Sequence, residues 1–378
     1  MKNLYISFLF LLITKFCIAQ QPTLDKEKLL EFYQSQRYAE AAAYLSSIYP
    51  AETSDVKVLS QIAYCNMMAG KLADAEKNYQ KINELQPKQI PVLFSLANIN
   101  SRRGNNKNAI IYLKEVVSLD STNFNAFKRL GDYTDSLILK VQYLQKANKL
   151  NATEAEVAYD LAAGYRKLKL LKPAYDVLKI AIAADSGHLV LQQALLPIAN
   201  QLNKYSEVVN VGEKLLQNGA DANVLADVAK AYFFLKNYKR AITLYQMLEK
   251  TEMQTESTLY YTSLCFRELK NYDQAASYAK QTITEGISPN TAAYYNLLGS
   301  IYEEKQLFTA ASTAYKKGLS YQVNKNSYYR LGLLYDLKLK QGKSALTYYN
   351  LYLKNKDLDK DDEPQVEYIK GRISELKR

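Results

Sequence analysis

Tryptophan is absent from this 378-residue chain, histidine occurs once, and cysteine three times. No Cys/His cluster with ligand spacing can be drawn from so few, which excludes a zinc site, and a disulfide framework is excluded with it. Glycine (13) and proline (8) are scarce, so breakers are few and long helices are favoured. No apolar run reaches the length of a membrane span. The net charge is +11, yet Lys and Arg alternate with Asp and Glu, the pattern of solvated helix faces and not of a nucleic-acid surface. Nothing resembles a nucleophile triad, a phosphate-cradling glycine loop or a metal motif, so the reading is of a non-enzyme that needs no cofactor. The acidic run Asp357, Asp359, Asp361, Asp362, Glu363 is no calcium loop: its sixth place holds Asp362 where glycine is needed, and its twelfth holds Tyr368. Acids just before Pro364 suit a helix N-terminus instead.

What is present is a folded composition, 48% hydrophobic and 23% charged, with 33 tyrosines. The first residues stand apart. Lys2 precedes an apolar run from Leu4 to Ile13, and Cys17-Ile18-Ala19 offers small residues where a signal peptidase cuts. Residues 1–19 read as a signal peptide cleaved after Ala19; Phe16 before Cys17 argues against a lipoprotein. The Lys/Asn/Tyr-rich composition and the signal ending Ala-Gln-Gln look like a Gram-negative bacterium. The expected location is the periplasm or the outer membrane. Cys65 and Cys265 then remain, and read as buried small apolar residues that do not pair. His188 reads as a surface turn residue.

The rest is a ladder. An alanine, or a residue in its slot, recurs at Ala41, Ala75, Ala109, Ala174, Val208, Ala241, Ala275, Ala311 and Ala345. The steps are 34, 34, 65, 34, 33, 34, 36 and 34, the 65 being two units of which one is short. About twelve residues upstream of most runs a second series of small residues, Ala63, Ala97, Gly131, Ala162, Ala229, Ser263, Gly299 and Gly332. Apolar residues at offsets of three and four from each mark one stripe of a helix. Each unit therefore reads as two antiparallel helices around a tight turn. Prolines agree: Pro87 and Pro289 fall between units, Pro91 and Pro364 at helix starts, Pro173 in a first turn. Pro197 alone falls inside an expected helix, where a kink is expected.

The unit resembles the tetratricopeptide repeat. Tyr295, Leu298, Gly299, Tyr302, Phe308, Ala311, Tyr315 and Gly318 match it, with Tyr295 in place of a frequent tryptophan; Leu225, Val228, Ala229, Tyr232, Tyr238, Ala241 and Tyr245 match as well. The unit around Gly131 departs, with Lys140 in the alanine slot. The resemblance spans residues 22–353 and implies an all-α fold, a right-handed α–α superhelix of about ten helix–turn–helix repeats. Residues 354–378, with Val366, Ile369, Ile373 and Leu376, read as a capping helix.

In this family one side of each first helix lines a concave groove that binds extended peptides or partner helices. Offsets of three back and one, four or five forward from the small residue cluster roughly 40° to 140° round the helix, on that side. They hold Tyr64, Phe94, Tyr159, Phe233, Tyr260 and Tyr329, with Arg102, Lys128, Arg166, Lys167, Lys230 and Arg267. Such a groove suits an acidic, partly apolar protein segment. The competing readings are that these side chains pack on the next unit, or that tyrosine faces stack on carbohydrate or peptidoglycan. The family's carboxylate clamp is not seen, since Phe94 replaces its lysine before Asn98, and Lys128 is followed by Asp132.

Overall fold

The computed structural model describes residues 23–219, 221–286 and 288–378; the signal sequence read at 1–19 lies outside them. Among the described residues the chain is all helical. It divides into two compact units, one through Val157 and one from Ala158, the division falling within a helix.

The N-terminal unit contains the pairs α1 (Lys26–Gln34) and α2 (Tyr38–Ile48), α3 (Val56–Met68) and α4 (Leu72–Leu85), α5 (Ile90–Arg102) and α6 (Asn106–Leu119), and α7 (Phe124–Tyr133) and α8 (Leu137–Leu150). Helix α9 (Ala155–Lys167) spans the division and pairs in sequence with α10 (Leu171–Ala184). The C-terminal unit continues with α11 (Leu189–Gln201) and α12 (Tyr205–Gln217), α13 (Ala222–Phe234) and α14 (Tyr238–Lys250), and α15 (Glu256–Glu268) and α16 (Tyr272–Glu285). Then come α17 (Thr291–Glu304) and α18 (Phe308–Tyr321), α19 (Lys325–Leu333) and α20 (Gly342–Leu353), and a last helix, α21 (Glu363–Leu376). The fold class is the expected one, all-α and built of helix pairs in each unit.

Local chemistry sets these boundaries. Asp25, Asp55, Asn123, Ser136 and Asp221 each accept an amide N–H at a helix start, and His188 does so through Nδ1 at α11. The turn inside nine of the ten pairs carries one left-handed residue: Gln36, Gly70, Gly104, Lys169, Asn203, Lys236, Lys270, Gln306 or Lys340. That residue lets the next amide return to the first helix, as Lys71 does to the Asn66 carbonyl at 2.8 Å. The tight turn folds each second helix back along the first.

Packing follows the two ladders. The eight alanines of the slot from Ala41 to Ala345, and Val208 with them, have no exposed surface. Opposite lies the small series, and its size is dictated by what the second helix inserts. A Cβ on Gly131 would stand 2.7 Å from Leu144, one on Gly299 2.7 Å from the Tyr315 ring, and one on Gly332 2.4 Å from the Tyr349 ring. Ser263 solves the same problem with a hydroxyl that donates to the Ala275 carbonyl at 2.8 Å. Where Lys140 takes the alanine slot it is half-buried, and Val141, Leu144 and Ala147 carry the burial. The short unit has lost its residues from α7, which has 10 where α3 and α5 have 13. Helix α11 runs through Pro197 as one element.

One irregularity escaped the sequence reading. Leu334–Lys338, directly after α19, is a π-helical turn. Its signature is visible afterwards: Gly332 to Ala345 is a step of 13 where Gly299 to Ala311 is 12. One inserted residue widens the helix by one backbone bond. The turn aims Asp336 inward, where it accepts from Arg372 of α21 through both oxygens, at 2.8 and 2.9 Å, and from the Tyr349 hydroxyl at 3.0 Å. Arg372 holds the Asp336 carboxyl below its ordinary range, with burial opposing. Val366, Ile369, Ile373 and Leu376 of α21 pack on the last pair.

A candidate partner-binding face

The twelve side chains expected on the groove side sit on the first helices of their pairs, but they differ in what they touch. In the N-terminal unit each has a separate partner. Tyr64 is 41% exposed and meets Tyr38 edge-on at 6.0 Å. The Arg129 guanidinium covers the Phe94 ring at 5.5 Å. Arg102 reaches back to donate to the Met67 carbonyl at 3.3 Å. Lys128 pairs with Glu154 at 3.2 Å and with Glu156, and although burial works against it, these carboxylates hold its pKa above the ordinary lysine value. An ammonium held by two acids offers little to an acidic partner.

The C-terminal unit brings several of these residues together. Phe233 meets Tyr261 at 5.2 Å, Tyr260 meets Tyr261 at 5.7 Å, and the Lys230 ammonium lies 5.5 Å from the Tyr261 ring. The cluster extends to Tyr294 beyond Tyr260 and to Phe234 stacked on Tyr205 at 4.6 Å. Tyr261 is its hub and was missed, because its offset of two back from Ser263 falls outside the chosen flank. Arg267 is occupied by Glu268 at 2.9 Å. Tyr329 packs on Tyr352 at 5.5 Å, apart from the cluster. Lys167 is exposed.

Tyr159 and Arg166 line a cavity of about 390 Å³ formed by α9, α11 and α13 within the C-terminal unit. Gln193, Ala194 and Pro197 supply a wall from α11, and Asp221 and Asp227 supply acids from α13. Tyr159 is 42% exposed at this site. Asp227 also escaped the sequence reading. Burial pushes its pKa up to about 6, against the pull of the Asn200 hydrogen bond and of the Lys230 and Arg166 charges. A lone aspartate on a helix of mixed charge gives no sequence signal of burial; only the neighbouring helices create it.

Cys65 and Cys265 are buried and free. The Cys65 thiol lies 3.5 Å from the Tyr33 hydroxyl, and burial pushes the Cys265 thiol up to about 12, so neither offers a thiolate at neutral pH. The described residues contain no group of three or more His, Cys, Asp or Glu that would hold a metal ion, and no helix among them is long and apolar enough to cross a membrane.

Two segments match family models described as tetratricopeptide repeat, residues 90–123 and residues 263–328. No curated protein matches the chain. Among solved structures, one titled a tetratricopeptide repeat protein from Parabacteroides merdae is 16% identical, covers 72% of this chain and 96% of its own, and superposes with a TM-score of 0.35. The MamA crystal structure is 24% identical, covers 41% and 93%, and gives 0.38. The Cut9–Hcn1 structure is 14% identical, covers 93% and 92%, and gives 0.44.

Proposed function

We propose that this chain, a tetratricopeptide-repeat protein, is a non-enzymatic scaffold of the bacterial cell envelope that binds a segment of another protein along the first helices of its pairs. Tetratricopeptide-repeat proteins bind other proteins, and that coarse role is the one the repeats bring to this chain. The observation that carries the finer reading is the state of the first-helix face. The ladders bury the small and aliphatic residues completely, yet Tyr64 and Tyr159 stay about two-fifths exposed on that face. Large amphipathic rings left open, Tyr159 in the same cavity as Arg166, are the composition of interface cores. The signal sequence supports export, with the mature chain in the periplasm or at the outer membrane.

Two measurements test this. A photo-crosslinking side chain at Tyr64 or Tyr159 captures a discrete protein in cell envelopes, and one at Ile111, exposed on the second helix α6, does not. Equal capture at all three positions, or capture of glycan alone, removes the proposed face. N-terminal sequencing of the chain from cells reads Gln20 first; a chain retained in the cytoplasm with Met1 intact removes the envelope role.

A further inference from the structure

The cavity between α9, α11 and α13 contains an acid with an unfilled acceptor. Among the described residues Asp227 takes one side-chain donor: Asn200 Nδ2 reaches its Oδ1 and its carbonyl, both at 3.0 Å. Its Oδ2 receives no hydrogen bond from the described residues, and it forms no ion pair, although Arg166 lines the same cavity. Lys230, one turn along α13, lies over Tyr261 instead. Asn200, which does not itself line the cavity, is 4% exposed, and its own Oδ1 is buried without a partner among the described residues. Pro197 has no N–H to give the carbonyl of Gln193 four residues before it, and both residues line the cavity. Asp221 spends an oxygen on the amides of Asn223 and Val224. The charged lining groups are Arg166, Asp221 and Asp227, which leaves one net negative charge in a chain that carries +11 overall.

An aromatic wall and a half-buried acid with an open oxygen form a receptor for one positive side chain. A carboxylate guest would meet Asp227 and Asp221 across a confined space, where like charges repel strongly. We propose that this cavity takes a single lysine or arginine side chain of an extended partner segment, with its charged head at Asp227 and its aliphatic stem along Tyr159 and Pro197. The inference rests on the scaffold reading and gives the partner a chemistry opposite to the acidic segment expected from the sequence. Arg166, at the rim, then limits affinity instead of providing it.

The test titrates the purified protein with blocked pentapeptides Gly-Ala-X-Ala-Gly, X being lysine, arginine, norleucine or glutamate, followed by NMR of the Ala163, Ala194 and Val224 methyl groups. Lysine and arginine peptides are expected to bind roughly tenfold more tightly than norleucine, the worth of one charge-assisted hydrogen bond. Asp227→Asn, which keeps the shape and an acceptor for Asn200, is expected to erase that preference. Arg166→Gln is expected to strengthen lysine binding. Preference for glutamate or norleucine, no shift with any peptide, or an unchanged preference in Asp227→Asn overturns the proposal. Crosslinked capture at Tyr64 that survives Asp227→Asn leaves the scaffold reading standing while this cavity loses its role.

Discussion

The two units solve one packing problem with different side chains. Ten of the 33 tyrosines lie up to Val157 and 23 lie after it. The slot four residues beyond the alanine holds Leu45, Tyr79, Leu113 and Leu144 in the N-terminal unit, and Leu178, Gly212, Tyr245, Ala279, Tyr315 and Tyr349 in the C-terminal one, so its tyrosines are concentrated toward the C-terminus. A tyrosine there fills more volume and brings a hydroxyl, which Tyr315 and Tyr349 give to Glu303 and Asp336 while that of Tyr245 is buried with no protein partner. Tyrosines outside the slot in the C-terminal unit also donate to carboxylates: Tyr175 to Glu207 at 2.6 Å, Tyr232 to Glu213 at 2.7 Å and Tyr278 to Glu249 at 2.8 Å. In the N-terminal unit, Tyr44 accepts from the Asp25 amide and Tyr33 meets the Cys65 thiol. A tyrosine-filled solenoid thus gains bonds within and between repeats, and becomes dependent on its acids staying ionised.

The largest expected effect truncates the shared slot. Tyr349→Ala is expected to cost about 3–5 kcal/mol and Leu113→Ala about 2–5, because both are fully buried and each leaves a cavity. Tyr349 also abandons Asp336, so urea denaturation followed by circular dichroism should rank it higher; the reverse order breaks the comparison. Next is the hydroxyl alone. Tyr349→Phe should cost about 1.5–3 kcal/mol, the value of a hydrogen bond to a charged group. Tyr245→Phe should be near neutral, since that hydroxyl is buried with no protein partner. Equal costs would show that the acid contributes nothing.

Acid should separate the units more gently. Asp336, Glu213 and Glu256 have depressed values, caused first by Arg372, Arg240 and Ser288 respectively. Groups depressed in the folded state contribute stability above their unfolded pKa and lose it as pH falls through the folded one. Hydrogen exchange below about pH 4 should therefore open α13–α21 before α3–α6. The smallest effect concerns the turns. The N-terminal unit places Gly70 and Gly104 at the left-handed position, whereas the C-terminal unit places Lys236 there at φ 62°. Lys236→Gly should gain roughly 0.5 kcal/mol, and Gly104→Ala should lose about 1, read from the same denaturation curves.

The sequence by itself determined the repeat. Burial on one stripe of each helix has to recur wherever a similar neighbour stacks, so the slot from Ala41 to Ala345 stayed small or aliphatic in every unit but the short one, where Lys140 stands. That constraint is local, periodic and legible. It also carried the cysteines and the tyrosines of the inner ladders into the core, and it contained the π-turn as a single extra residue between Gly332 and Ala345. The face was less legible. Helical offsets placed twelve side chains on one flank, but an offset says nothing about which acids lie across the gap. Only the stacked helices decided that Lys128 is bound by Glu154 and Glu156, that Tyr261 is the hub around Phe233 and Tyr260, and that Asp227 is half-buried in a cavity it shares with Arg166. Charge pairing and desolvation depend on distances of a few ångströms between residues some 25 to 60 places apart. No periodicity encodes them, because each repeat is free to vary where it does not pack.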